Sequence, residues 1–90
     1  MSYALAIAGD ARLDWRALEL WLQEETIDEI DNLAGDLTLP YATNPDGESV
    51  YSFVRSSRGA RHYIALTFRR DDAARKIIVL GISHRRLNLP

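Results

Sequence analysis

The chain begins with an alternation. Tyr3, Leu5 and Ile7 are separated by small residues, so Ser2–Ala8 predicts a strand that Gly9-Asp10 closes. From Asp10 the period changes. Leu13, Trp15, Leu18, Trp21 and Leu22 fall at spacings of three and four, which predicts an amphipathic helix to about Glu24 with Asp10 as its cap. Thr26-Ile-Asp-Glu29 has the form of a capping box, and Ile27, Ile30, Leu33, Ala34 and Leu37 continue a helical stripe toward Gly35. Two helices meeting near Glu24–Thr26 are expected, with Trp15 and Trp21 turned toward the core. One long bent helix is the alternative.

Leu39–Ser49 has the composition of a loop, centred on Asn44-Pro-Asp-Gly47. Period-two segments follow. Val50–Arg55 predicts one strand. Arg61–Arg69 predicts another, with His62, Ile64, Leu66 and Phe68 on the core face and Arg61, Tyr63, Ala65, Thr67 and Arg69 on the other. After the polar turn Arg70-Asp-Asp-Ala73, Arg75–Ser83 predicts a third, with Ile78, Leu80 and Ile82 on one face and Ile77, Val79, Gly81, Ser83 and Arg85 on the other. The order β-α-α-β-β-β makes an α+β domain: a helical hairpin on one face of a mainly antiparallel four-stranded sheet, the other face partly open. Ninety residues are expected to form one domain, 1–90, whose thin core a partner helps to stabilise.

Composition narrows the function. Hydrophobic residues make up 47% and charged residues 27%, the balance of a globular chain. No apolar run is long enough to span a bilayer. Met1–Gly9 carries no Lys or Arg and meets Asp10 at once, unlike a signal peptide, so a cytoplasmic protein is expected. The absence of cysteine excludes disulfides, thiolate metal sites and thiol catalysis. The net charge of −2 conceals a segregation: residues 1–50 hold two basic residues against eleven acidic, and residues 51–90 hold nine basic against Asp71 and Asp72. Such a split points to an anionic partner for the basic half. Ten of the eleven cations are arginines, which fork onto phosphates and stack on bases.

In the expected hairpin, Arg61 and Tyr63 approach Ser83 and Arg85 on the open face. An aromatic ring flanked by guanidiniums suits single-stranded RNA; an ordinary charged surface with Tyr63 in a cross-strand pair is the plainer alternative. His84, directly before Arg85-Arg86, is the candidate general acid or base for phosphodiester cleavage, with the arginines stabilising charge on phosphorus. His62, on the core face, is expected to be structural. The two histidines have no metal-ligand spacing, and the chain holds no glycine-rich phosphate loop, so neither metal nor other cofactor is expected.

The order of elements and the tail Ile77-Ile-Val-Leu-Gly-Ile-Ser-His-Arg-Arg86 resemble the RelE/ParE superfamily of bacterial toxins. Val50-Tyr-Ser-Phe-Val-Arg55 with Ser57-Arg-Gly-Ala-Arg61 resembles that family's central strand and Arg-Gly turn. The resemblance implies the toxin of a type II toxin–antitoxin module. In its RelE-like form this is a metal-independent endoribonuclease cutting messenger RNA on the ribosome. The alternatives are a ParE-like gyrase inhibitor and a catalytically inactive binding module of the same fold. The implied catalytic set is His84, Arg85 and Arg61, with Arg55, Arg58, Tyr63 and Arg86 holding RNA. The implied partners are a small antitoxin and the ribosome with its message, or gyrase in the alternative, with a homodimer left open and no membrane. Where RelE has lysines after the central-strand tyrosine, this chain has Ser52 and Val54, and RelE's C-terminal tyrosine has no match.

Overall fold

In the computed structural model, which describes residues 3–89, the opening alternation forms β1 (Ala4–Ile7) and the change of period opens α1 (Gly9–Arg16). Ser2, where the sequence predicts the strand to begin, lies outside the described residues. The helical region is divided, but earlier than expected: α2 spans Leu20–Gly35 and carries Thr26 in its interior. Thr26 is fully buried between Leu22 and Ile30, so it does not cap a helix. Leu22, Thr26, Ile30 and Leu33 recur at helical spacing, and burying that whole stripe favours continuing the helix through the box. The break at 17–19 is stitched by side chains. Trp15 Nε1 donates to Gln23 O at 3.0 Å, and the Gln23 amide donates back to Leu18 O at 3.0 Å.

The segment read as loop contains a short strand, β2 (Ala42–Thr43), so the sheet has five strands rather than four. The turn after it closes by Gly47 N–H to Asn44 O at 3.0 Å, and the φ of +86° at Gly47 is one that only glycine adopts freely. Three long strands follow: β3 (Ser49–Ser57), β4 (Ala60–Asp71) and β5 (Lys76–Asn88). The sheet order is β1-β5-β4-β3-β2, with β1 parallel to β5 and every other pair antiparallel. The fold is α+β, as the pattern predicts, with helices against one face of a mixed sheet.

The core joins Ala11, Leu18, Leu22, Ile30 and Leu33 of the helical part to Phe53, Ile64, Leu66, Phe68, Ile77, Val79 and Ile82 of the sheet. The faces of β4 alternate as expected, but β5 does not keep one parity. Thr67 pairs with Gly81 and Phe68 with Val79, leaving Leu80 as an extra residue in a bulge. Before the bulge Ile77 and Val79 face the core; after it Ile82 does. Strict alternation puts Ile82 with Ile78 and opposite Val79, and the bulge undoes that pairing of faces. Leu13, assigned to the apolar face of the first helix, is instead 63% exposed. Trp15 and Trp21 pack against the core while remaining partly accessible.

Candidate nucleic-acid interface

Strand β5 runs to Asn88, five residues beyond the expected end, so His84-Arg85-Arg86 lies within a strand and its side chains alternate between faces. Cross-strand register settles which. Tyr63 is paired with Arg85 and Val54 with Tyr63; Arg61 is paired with Ser56 and Leu87. Directly opposed residues share a face. Arg61, Tyr63 and Arg85 therefore stand together on the side away from the helices, with Val54 and Leu87 beside them. Shallow depressions of about 320 and 310 Å³ meet there, one lined by Tyr63, Arg85 and Leu87, the other including Ser52, Val54, Ala65 and Ser83.

The electrostatics of this end of the face are one-signed. Segments 52–56, 61–65 and 83–87 contain no Asp or Glu, and neither Arg61 nor Arg85 makes an ion pair among the described residues. Val54 at 45% exposure, Tyr63 at 37% and Leu87 at 47% add apolar surface between the guanidiniums. Free cations around an accessible ring form a surface for phosphates with unstacked bases. At the far end of the sheet Arg69 lies 3.7 Å from Glu48, which offsets its charge.

His84 is not part of this surface. It is paired with Ile64, whose side chain is buried, and its Nε2 lies 2.9 Å from Nδ1 of the buried His62. The expectation that one phosphate touches His84, Arg85 and Arg61 together is therefore not met: adjacent residues of a strand point to opposite faces, so His84 and Arg85 are separated by the sheet. Burial, the proximity of His62 and the Arg86 guanidinium hold His84 below the ordinary histidine range, against the opposing pull of Glu19. His62 is structural, as expected: its Nε2 meets Ser57 Oγ at 3.1 Å, and Trp21 stands edge-on at 5.2 Å between ring centroids.

The remaining basic residues divide. Arg55 faces the helices, where its Nε meets Glu25 at 3.2 Å and its Nη2 meets Glu29 at 2.5 Å. Glu29 also accepts from the Tyr51 hydroxyl at 2.7 Å, and burial followed by that carboxylate pushes the phenol of Tyr51 up. Arg55 was expected to hold RNA; its charge is instead spent on α2. Arg86, paired with His62, lies on the helix side although exposed, and Arg58 occupies the turn between β3 and β4. Arg70 donates to Asp72 and Tyr41 and its guanidinium lies over the Tyr3 ring, tying the strand ends together. The residues sequence reasoning missed are Val54 and Leu87. Leu87 lies beyond Ser83, the expected end of the strand, so only the extension of β5 brings it to the site.

Among the described residues no cluster of three or more His, Cys, Asp or Glu is placed to hold a metal ion, and no helix is long and apolar enough to cross a membrane. Sheet and helical pair define an α+β domain whose open face carries arginines at one end. Solved structures with this architecture include a toxin and toxin–antitoxin complexes. The toxin–antitoxin complex RelBE2 from Mycobacterium tuberculosis contains a chain that matches with a TM-score of 0.75 at 18% identity, over 94% of this chain and 93% of that one. An arginine double mutant of E. coli toxin RelE in the free state matches at 0.66 and 16%, over 92% and 83%. The intact E. coli RelBE toxin–antitoxin complex matches at 0.61 and 19%, over 91% and 95%. This chain has the RelE-type toxin fold. No protein-family model matches it, and no curated protein does.

Proposed function

We propose that this protein is the toxin of a two-component toxin–antitoxin module and acts on messenger RNA through the open face of β3, β4 and β5. The observation that carries this reading is the juxtaposition of Arg61, Tyr63 and Arg85 on an acid-free surface. The RelE-type fold supports it, and two of the similar structures are toxin–antitoxin complexes, which makes a small antitoxin the expected partner. Cytoplasmic action on translating ribosomes follows from the same reading.

Cleavage would use the RNA's own nucleophile. The ribose 2′-hydroxyl gives its proton to water as its oxygen attacks the adjacent phosphorus, the 5′-oxygen of the next nucleotide leaves and takes up a proton, and a 2′,3′-cyclic phosphate and a 5′-hydroxyl result. Arg61 and Arg85 stabilise charge on the non-bridging oxygens as the phosphorus becomes five-coordinate, and Tyr63 between them stacks a base or hands a proton to the leaving oxygen. A non-enzymatic toxin, gyrase-directed or otherwise protein-binding, is the second reading. It is favoured by the placement of His84, which removes the imidazole from the face, and by Ser52 and Val54 standing where RelE has lysines.

Inducible expression with message-cleavage mapping separates them. Native protein should arrest growth and leave new 5′-hydroxyl ends, while Arg85→Ala should lose both. Growth arrest with intact messages would overturn the nuclease and leave the binding module.

A further inference from the structure

Directly behind the open face, on its helix side, lies a chain of three groups that the binding surface does not use. Ser57 Oγ meets His62 Nε2 at 3.1 Å, and His62 Nδ1 meets His84 Nε2 at 2.9 Å. The two rings are within 13° of parallel with centroids 5.1 Å apart. That separation fits rings meeting end to end, as a hydrogen bond between ring nitrogens requires. His62 is 1% exposed and joins β4 to β5 and to β3 at once. The next residue along each strand, Tyr63 after His62 and Arg85 after His84, belongs to the open face, and these two are direct cross-strand partners.

An N···N contact of this length needs one donor and one acceptor. The neutral pair satisfies it in either tautomer. The singly protonated pair satisfies it too, with imidazolium donating and Ser57 accepting from His62. The doubly protonated pair cannot, because two N–H groups then oppose each other across 2.9 Å. We propose that His62 and His84 are positioning residues for the open face, whose hydrogen bond fixes the β4–β5 ladder where Tyr63 meets Arg85 and which a second proton releases, loosening that face in acid. This rests on the open-face reading for its consequence, though not for the lock itself.

The charged groups around the pair set the direction. Glu19, ahead of α2, favours protonation of His84; Arg86 on the same strand opposes it, and so does burial. Arg55 of β3 is the cross-strand partner of His62, but Glu25 and Glu29 of α2 engage its guanidinium. The balance holds His84 below its ordinary value. A histidine so lowered contributes stability that is whole above about pH 6.5 and is lost as pH falls through the interval beneath it.

The test compares native protein with His84→Gln, whose amide can still bond to His62 Nδ1 but takes no proton. Ser57→Ala serves as a second variant that keeps the histidine contact. Amide hydrogen exchange of residues 61–64 and 83–86, corrected for intrinsic rates, and affinity for a single-stranded RNA oligonucleotide are followed from about pH 7.5 to about pH 5, a range that spans the ordinary histidine value. Native protein and Ser57→Ala should lose both protection and affinity toward the acid end of that range, where a second proton enters the pair, while His84→Gln stays level in both. Identical exchange profiles for native and His84→Gln would overturn the lock. An exchange step in native protein without RNA binding at any pH would uphold the lock and overturn the open-face reading instead.

Discussion

At the edge of β5 the carboxylate of Asp14 accepts the Ile82 N–H at 3.0 Å, just beyond Val79, where pairing with β1 ends. An α1 side chain thus does for the bulged strand what a neighbouring strand does elsewhere, since a backbone donor left without a partner is costly. Asp14→Ala should lower unfolding free energy by about 1–2 kcal/mol, and Asp14→Asn, which keeps an acceptor oxygen, by less. Urea denaturation measures the difference, and equal losses would show that the carboxylate acts otherwise. Thr26 presents the opposite case, a fully buried hydroxyl with no partner among the described residues. Thr26→Val keeps the branched shape and removes the unpaired group, so it should stabilise by about 1 kcal/mol. A lower urea midpoint would mean the hydroxyl has a partner after all.

Among the elements, α2 is bound to β3 by a polar cluster rather than by apolar contact alone. Glu29 receives both the Tyr51 hydroxyl and the Arg55 guanidinium, and Glu25 receives Arg55 as well. Glu29→Ala leaves a partly buried guanidinium and phenol short of a partner and should cost about 1–2 kcal/mol. The phenol of Tyr51 is raised by burial and then by Glu29. An acid whose folded value is raised stabilises the fold fully below about pH 10 and loses that contribution as pH climbs through the interval above. Ultraviolet titration should therefore show Tyr51 ionising late in native protein and closer to the ordinary tyrosine range in Glu29→Ala. Overlapping titration curves would separate Tyr51 from the carboxylate.

For the molecule as a whole, the segregation of charge along the sequence is only partly a segregation in space. Arg55 is matched by helix acids, Arg70 by Asp72 and Arg69 by Glu48, so the basic half presents fewer free cations than it contains. On the open face beside Tyr63, Arg61 and Arg85 carry no ion pair among the described residues, with Arg58 at the nearby turn. If these three release counterions from single-stranded RNA, the logarithm of affinity should fall with the logarithm of salt at a slope of about −2, from roughly 0.7 per phosphate contact. Arg61→Ala and Arg85→Ala should each flatten that slope by one contact, and Arg55→Ala should leave it unchanged. Salt titrations of oligonucleotide binding read all three, and a slope lost in Arg55→Ala would move the interface to the helix side.

The sequence by itself determined the periods, and with them the helical pair, the three long strands and the inward face of β4. These are local consequences of where apolar side chains recur, and they sufficed to place Arg61 and Tyr63 on the outer face. They also carried the resemblance to the RelE-type fold. What the sequence left open were features that depend on a second element. The capping box at Thr26 gave way because the sheet rewards burying the whole α2 stripe. The end of β5 moved to Asn88 because β4 supplies partners as far as Ala60. The bulge at Leu80 changed which residues share a face, and no period within β5 announces it. That one extra residue determines the faces after it, setting His84 against His62 on the helix side and Arg85 beside Tyr63 on the other. Register is a property of paired strands, so only the tertiary structure could decide which face the histidine takes and which the arginine that follows it.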